Sequence, residues 1–202
     1  MSNMDKHIMV VPRAALFSQK AFEGFMARGD YEQLILQHAL YMRRGDAETD
    51  PTHKQPIAYV VLVNRKEKKV FAYRRAAQDA NYSERRLQGK WSWGIGGHVD
   101  HTDGKDNPIR ASMLRELDEE VAATVENISV LGYINSEADD VSRVHFGILY
   151  VVETSGSVEP TAAEIATGRM MSITEIELLA SSANVESWSL IALGPLKDYL
   201  AA

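Results

Sequence analysis

Residues 96–100 have the sequence GGHVD and residues 115–120 have the sequence RELDEE, and these two stretches decide the interpretation. In a helix, side chains three and four positions apart are neighbours. Glu119 and Glu120 would therefore both lie beside Glu116, one turn earlier. Carboxylates this close repel one another unless a cation offsets their charge, and hard oxygen ligands suit Mg²⁺ or Mn²⁺. The spacing predicts a divalent-cation site on one edge of a helix.

Arg115 and the adjacent glycines bear on the same prediction. Arg115 could pair with one of the glutamates and hold its orientation. Two glycines in a row allow the backbone to approach a metal or a phosphate closely. The alternative is a solvated helix face, because runs such as RELDEE are common on exposed helices. The helix alone does not separate these interpretations, whereas the upstream glycine pair favours the metal site.

The overall composition excludes several classes of protein. The chain has 202 residues, a net charge of −6 and no cysteine. The lack of cysteine excludes a disulfide framework, a thiolate zinc site and a cysteine nucleophile, and it fits a cytoplasmic location. The negative charge argues against a general nucleic-acid-binding protein. We expect no membrane segment and no secretory signal, because no apolar run approaches the roughly eighteen residues of a membrane helix.

The pattern of apolar residues predicts an α+β fold in which a mixed β-sheet lies between helices. The predicted strands cover residues 8–11, 57–63, 70–73, 91–95, 128–134, 144–152 and 169–171, and a charged turn at 64–69 predicts a hairpin. The predicted helices cover residues 18–26, 31–42, 108–123 and 172–179, followed by a helical tail interrupted at Gly194-Pro195. Residues 43–55 and 76–90 are predicted loops. Local start signals are Asp30 with Gln33, Asn107 before Pro108, and Ser172 with Glu175.

The glycine and glutamate positions resemble the Nudix box, G-x5-E-x7-R-E-U-x-E-E-x-G-U, where U is a bulky apolar residue. Gly97 and the R-E-L-x-E-E core at residues 115–120 carry the resemblance. Asp103 stands at the first glutamate, and four extra residues lie between it and Arg115. Ala122 and Ala123 replace the final glycine and apolar residue. The insertion falls in a loop, where length changes are tolerated.

This resemblance, which extends over residues 57–179, implies a fold, a reaction and a set of ligands. The fold would be a Nudix-like α/β/α sandwich over residues 56–202, with residues 1–55 as an N-terminal strand and helical extension. The reaction would be Mg²⁺- or Mn²⁺-dependent hydrolysis of a diphosphate bond in a nucleoside-diphosphate-linked or similar small phosphorylated metabolite. The metal ligands would be Glu116, Glu119, Glu120 and the Gly97 carbonyl, and Arg115 would orient the glutamates. Family habit also predicts a homodimer.

The general base and the substrate-binding residues are less well defined. Glu119 or Glu120 could be the base, as could a glutamate from a later loop, Glu137 or Glu164. Glu164 is favoured because it precedes a strand and a capped helix at a similar spacing to the base of related enzymes. Arg74 and Arg75, at the end of a strand, are the predicted phosphate-binding residues, since arginine forms bidentate bonds to phosphate. The next loop offers weaker candidates: Tyr82, Arg85, Arg86 and Lys90.

Three other functions compete with this prediction. The sequence from His98 to His101 matches part of the H-x-H-x-D-H pattern of dinuclear zinc hydrolases, but Gly96 replaces its first histidine and only His145 remains downstream. The fold is similar to that of isopentenyl diphosphate isomerase, whose chemistry needs a cysteine that this chain lacks. A non-catalytic Nudix-like module that senses a nucleotide is the main alternative. The presence of Arg115 and all three core glutamates favours an enzyme.

Overall fold

The computed structural model describes residues 3–76, 87–104 and 106–202. The strands are β1 His7–Pro12, β2 Gly24–Met26, β3 Leu40–Arg43, β4 His53–Asn64, β5 Lys69–Arg75, β6 Trp91–Ser92, β7 Ile95–His98, β8 Val121–Asn135, β9 His145–Pro160 and β10 Ile165–Ser172. The helices are α1 Arg13–Leu16, α2 Tyr31–His38, α3 Arg44–Ala47, α4 Pro108–Glu120, α5 Asp140–Val144, α6 Ile173–Ser182 and α7 Ser187–Ala201. Within these ranges, no helix combines the length and the apolar character that a membrane span requires.

The strands form a sheet in the order β10-β5-β4-β9-β8-β2, with further pairings of β1 to β3 and β4, β6 to β5, and β7 to β4. The predicted hairpin is confirmed, because β5 runs antiparallel to β4 with Val63 opposite Val70. In its turn, Lys68 adopts a positive φ of 53°, and the Asn64 side chain accepts a hydrogen bond from the Glu67 N–H. The mixed sheet with helices on both sides confirms the predicted α+β class.

The chain divides into two compact units, each built from three segments. The first unit contains the described residues of Met1–Tyr59, Gly96–Arg115 and Leu131–Leu149. The second unit contains those of Val60–Ile95, Glu116–Val130 and Tyr150–Ala202. The predicted domain division between residues 55 and 56 stays a prediction.

In the first unit, the predicted helix at residues 18–26 is wrong. The helical segment is the single turn α1, and Gly24–Met26 forms strand β2 antiparallel to β8. Gly24 has a φ of 83°, which a right-handed helix does not accommodate. Phe22 packs against Phe17, Tyr31 and Phe146 in an aromatic cluster. These contacts with distant parts of the chain outweigh the local helical pattern.

The second predicted helix is also shorter than expected. It ends at His38, and Leu40–Arg43 becomes strand β3, which pairs with β1 so that Ile8 lies opposite Met42. The Asp30 side chain makes no capping hydrogen bond, so the predicted capping box is not formed. The predicted loop at residues 43–55 contains α3 and the start of β4. The pairing of β3 and of the start of β4 with β1 decides the structure of residues 40–55.

In the second unit, the C-terminal helices confirm one prediction and correct another. Ser172 and Glu175 form the predicted capping box at the start of α6. The predicted interruption at Gly194-Pro195 is wrong, because α7 continues through Pro195. Its buried side chains recur every four residues, at Trp188, Ala192, Leu196 and Leu200. Burial of this continuous apolar face outweighs the hydrogen bond that proline loses.

Candidate active site

Helix α4 begins where the sequence predicted. The Asn107 side-chain oxygen accepts a hydrogen bond from the Arg110 N–H at 2.9 Å, and Pro108 occupies the first helical position. Ile109, Met113 and Leu117 are buried at a spacing of four residues. This apolar face belongs to the core, which leaves the glutamates of the box on the other sides of the helix.

The C-terminal end of α4 differs from the prediction, because the helix ends at Glu120 and strand β8 begins at Val121. The last carbonyls of a helix have no partner within it. Thr161 supplies two of the missing donors: its N–H binds the Glu120 carbonyl at 2.9 Å, and its hydroxyl binds the Glu119 carbonyl at 3.0 Å. The helix therefore ends without the glycine of the Nudix box, and the segment before β10 is attached to it.

Glu120 lies at the centre of a group of charged side chains in the second unit. The pKa of its carboxyl is raised to about 8, mainly by burial; the charge of Arg75 opposes this rise, and the charges of Glu116, Glu164 and Glu119 add to it. Glu119 and Glu164 are exposed, whereas Glu116 and Glu120 are partly buried. The four carboxylates are hard oxygen donors, and each of the other three raises the pKa of Glu120. A divalent cation such as Mg²⁺ or Mn²⁺ fits this donor set because it would remove the repulsion.

Glu164 is held in the short segment that precedes β10. Its backbone carbonyl accepts a hydrogen bond at 2.8 Å from the N–H of Ala76, the residue that follows β5. Thr161, three residues earlier, is bonded to the last turn of α4. The segment is therefore fixed at both ends, which keeps the exposed Glu164 carboxylate close enough to influence the pKa of Glu120.

Glu137, the other predicted loop candidate for the base, has a different environment in the first unit. Arg13 donates two hydrogen bonds to its carboxylate, at 2.8 and 3.1 Å, and the Lys54 ammonium donates a third at 2.9 Å. Burial raises the pKa of Glu137, but these hydrogen bonds outweigh the effect and leave that pKa lowered. Since Lys54 is fully buried, the carboxylate neutralises a cation that has no access to water.

The two predicted phosphate-binding residues differ in exposure. Arg75 is 12% exposed, lies 3.9 Å from the Glu186 carboxylate and stacks on Tyr73, with 5.3 Å between guanidinium and ring centre. Arg74 is exposed and donates a hydrogen bond to the Gly89 carbonyl at 3.1 Å. Consecutive strand residues point to opposite faces, so these side chains do not form one clamp. Their phosphate-binding role stays a prediction, and Tyr82, Arg85 and Arg86 lie outside the described residues.

Arg115 has a well-defined set of contacts in the first unit. Its guanidinium binds both carboxylate oxygens of Asp103, at 2.9 and 3.2 Å, and donates to the His98 carbonyl at 3.1 Å. The Asp103 side chain is only 5% exposed. The aspartate that replaces the first glutamate of the box therefore binds the arginine of the box through a bidentate ion pair. The predicted orientation of the glutamates by Arg115 stays a prediction.

The glycine pair is explained in part by strand packing. A Cβ atom on Gly96 would lie 2.7 Å from the Ala58 carbonyl oxygen of strand β4, so no larger residue fits there. The close approach that Gly96 allows in the structure is to a neighbouring strand, and an approach of this backbone to a metal or phosphate stays a prediction. Gly97 follows in strand β7, and its carbonyl as a metal ligand stays a prediction.

Comparison with known proteins assigns the family. A family model described as the NUDIX domain matches residues 53–193, which is more than half of the chain. The chain belongs to the Nudix family. Protein YmaB of Bacillus subtilis (strain 168) is 35% identical over 203 residues, an alignment that covers 94% of this chain and 96% of YmaB.

Solved structures of Nudix proteins agree with this assignment. Tm1382, a candidate Nudix hydrolase, superposes with a TM-score of 0.78 and 28% identity, covering 96% of this chain and 99% of Tm1382. The NUDIX domain of Shewanella oneidensis NrtR, solved with ADP ribose, gives a TM-score of 0.56 at 17% identity. That alignment covers 73% of this chain and 88% of the NrtR domain, and it supports the fold alone.

Family membership confirms the predicted enzyme class: the chain is a Nudix-type hydrolase and, in general terms, a pyrophosphate hydrolase. Sequence reasoning missed the contribution of Thr161 to this Nudix site. It also left Asp103 as a departure from the box without a partner. For Asp103, the available signal was its position at the first glutamate of the box. For Thr161, nothing in the surrounding sequence indicates that it binds the end of α4.

Proposed function

We propose that this Nudix hydrolase cleaves the diphosphate linkage of a nucleoside-diphosphate-linked or similar small phosphorylated metabolite, with Mg²⁺ or Mn²⁺ as cofactor. The observation that supports this most strongly is the group of carboxylates around Glu120. Burial raises the pKa of Glu120 first, and the charges of Glu116, Glu164 and Glu119 act in the same direction. ADP ribose, with which the NrtR domain of similar fold was solved, is a compound of this class and is included in the test below. Glu116, Glu119 and Glu120 would hold the cation, together with the Gly97 carbonyl that the Nudix resemblance implies.

A bound divalent cation supplies polarisation of the phosphoryl oxygens and charge neutralisation for the leaving phosphate. The chain's own residues position the remaining groups. Arg115, held by Asp103 and the His98 carbonyl, fixes the backbone of the glycine strand. Thr161 fixes the last turn of α4 through the carbonyls of Glu119 and Glu120. Both contacts hold parts of the box in place before substrate binds.

Glu164 is the general base in this proposal. A water oxygen attacks one phosphorus of the diphosphate, the bond from that phosphorus to the bridging oxygen breaks, and a carboxylate oxygen of Glu164 accepts the proton of the water. Glu164 is exposed and close to Glu120, as a base that meets a phosphate from solvent must be. Glu137 is not suited to this step, because Arg13 and Lys54 occupy its carboxylate and lower its pKa.

The test is release of phosphate-containing products from a panel that includes ADP-ribose, a dinucleoside diphosphate, a nucleotide sugar and a nucleoside triphosphate. The purified chain is assayed after chelation, and again with Mg²⁺ or Mn²⁺ restored. We expect turnover of a diphosphate-linked compound that requires the added cation. Ligand binding without turnover across the panel would contradict the proposal and favour a sensing module.

The predicted homodimer is proposed on family habit and has its own test. Size-exclusion chromatography with light scattering should return about twice the mass of 22.5 kDa. A monomer mass across the concentration range of the activity assay would end that part of the proposal.

A further inference from the structure

A second group of metal-binding side chains lies in the first unit. Its members come from four places: Glu48 after α3, Gln55 on β4, His98 on β7 and His145 at the start of β9. One ligand atom each from Glu48, His98 and His145 lie within 4.8 Å of one another. Gln55 and His145 are buried, and Glu48 and His98 are mostly so. None of these residues belongs to the carboxylate group around Glu120.

The distances between the ligand atoms fit a single cation. The Nε2 atoms of His98 and His145 are 3.1 Å apart, and the Gln55 Oε1 atom is 2.7 Å from the same His98 nitrogen. Two nitrogens 3.1 Å apart would subtend an angle of about 95–100° at a cation placed about 2.1 Å from each. The Glu48 Oε1 atom lies 3.8 Å from His98 Nε2 and would complete the shell with little movement.

Contacts outside the group orient two of the ligands. The Nδ1 atom of His145 lies 2.6 Å from the Val141 carbonyl oxygen, which can only accept, so Nδ1 carries the proton. In the neutral ring, Nε2 is then left with a lone pair directed at His98. Glu48 is held by the Arg44 guanidinium, with Nε at 3.2 Å from Oε1. Metal-binding histidines commonly donate their other ring N–H to a carbonyl in this way.

The hydrogen-bond inventory of the group is unbalanced. Gln55 Oε1, His145 Nε2 and the Glu48 carboxylate all present lone pairs, and a neutral His98 offers one N–H at most. Gln55 is fully buried, and its Oε1 atom is one of these acceptors. A cation at the centre would accept these lone pairs at once.

We propose that His98, His145 and Glu48, with the side-chain oxygen of Gln55, form a binding site for a divalent transition-metal cation of the Zn²⁺ type. Imidazole ligands suit Zn²⁺, Co²⁺ and related cations, whereas Mg²⁺ prefers oxygen ligands. The cation would join four segments of the first unit and act as a structural clamp. Of the partial zinc-hydrolase pattern at residues 98–101, only His98 belongs to this group. The second histidine is His145, at 3.1 Å, whereas the His101 side chain is 61% exposed.

The test is a titration of the full-length, chelator-treated protein with Co²⁺ in a large excess of Mg²⁺, which keeps Co²⁺ from the carboxylates of α4. Visible absorption of bound Co²⁺ and its displacement by Zn²⁺ are recorded. We expect one equivalent to bind, and affinity to fall at least tenfold in His145→Asn and in Glu48→Gln. His101→Asn is the matched control and should bind as the unsubstituted protein does. The Co²⁺ signal should also persist in Glu119→Gln.

If His145→Asn does not fold, Glu48→Gln still tests the proposal, because Glu48 lies at the edge of the group. Circular dichroism verifies that the Glu48→Gln variant is folded. Zn²⁺ should raise the melting temperature of the unsubstituted protein and of His101→Asn, and should raise that of Glu48→Gln much less. Complete displacement of Co²⁺ by Mg²⁺ would overturn the proposal. Equal Co²⁺ affinity in Glu48→Gln and the unsubstituted protein would also overturn it and leave a hydrogen-bonded histidine pair.

Discussion

The carboxylate group around Glu120 and the imidazole group around His98 respond to burial in opposite directions. Burial raises the pKa of Glu120 to about 8, and burial, assisted by the charges of His145, Arg44 and Lys6, lowers the pKa of His98 well below its ordinary value. In both cases the protein interior disfavours the charged form. Burial therefore acts on two different sets of ligand atoms, the oxygen atoms around Glu120 and the nitrogen atoms around His98.

Because their ligand atoms differ, the two groups suit different cations. The carboxylates repel one another, so a hard cation such as Mg²⁺ would relieve unfavourable charge and act in phosphate chemistry. Burial disfavours the charged form of His98, so a softer cation would bind the lone pairs of the nitrogen ligands and hold the fold. Loss of the first cation should therefore stop catalysis, and loss of the second should reduce stability.

The largest expected effect concerns the carboxylate group around Glu120. Glu120→Gln should lower kcat by roughly a thousandfold under saturating Mg²⁺, because removing one ligand removes several kcal/mol of transition-state stabilisation. Asp118→Asn is the matched control, since Asp118 is an exposed acidic residue on the same helix. Steady-state kinetics on the substrate identified by the panel measure both. Similar losses of kcat in the two variants would mean that the rate depends on the net charge of the helix and not on a ligand at position 120.

The next effect distinguishes the two loop glutamates. Glu164→Gln should lower kcat by about a hundredfold, the usual contribution of a general base. Glu137→Gln should change kcat by less than threefold but reduce the free energy of unfolding by about 2 kcal/mol, because buried Lys54 loses a charged partner. Kinetics and chemical denaturation of both variants provide the data. A hundredfold loss in Glu137→Gln with normal stability would reverse the assignment.

Local signals in the sequence were sufficient for the start of α4, the start of α6 and the hairpin between β4 and β5. Asn107 with Pro108, the capping box at Ser172, and the charged hairpin turn each act within a few residues. Helix geometry alone predicts that the three box glutamates are neighbours. The raised pKa of Glu120 comes first from burial, and two residues distant in sequence also act on it: Arg75 lowers this pKa and Glu164 raises it.

Features that depend on distant partners were not predictable in the same way. Strands β2 and β3 exist because β8 and β1 pair with them, and each has a local pattern that favours helix. Glu48 and Gln55 join His98 and His145 only once four separate segments have packed together. Lone glutamates and glutamines in a predicted loop carry no indication of such partners. Periodicity is a local property, whereas pairing and ligand sets are properties of the whole fold.

A smaller effect concerns pH and stability in the absence of metal. The folded-state pKa of Glu120 is about 8, above the ordinary value of 4.5, so between these values the folded state holds a proton that the unfolded state has lost. Stability from this group is therefore present below about pH 4.5 and is lost as the pH rises towards 8. Glu120→Gln, which stays neutral, should exceed the unsubstituted protein in unfolding free energy by about 1–3 kcal/mol at pH 8.

Thermal and chemical unfolding in chelator at pH 5.5 and pH 8 measure this difference. The gain from Glu120→Gln should be larger at pH 8, and Asp118→Asn should show no such trend. His98 has the opposite sign, because its lowered pKa makes the folded state less stable as the pH falls below the ordinary histidine value of 6.5. A gain from Glu120→Gln that does not depend on pH would show that Glu120 is ionised in the metal-free protein.

The smallest expected effect tests how the fold positions the carboxylates. Thr161→Val keeps the shape and the backbone bond to the Glu120 carbonyl but removes the hydroxyl bond to the Glu119 carbonyl. One neutral, exposed hydrogen bond contributes about 0.5–1 kcal/mol, so kcat should fall about threefold. The Mg²⁺ concentration for half-maximal rate should rise as well, because the last turn of α4 is held less firmly. Thr167→Val, at an exposed position on β10, is the control. If both variants have the same metal dependence, Thr161 only closes the helix and does not position its glutamates.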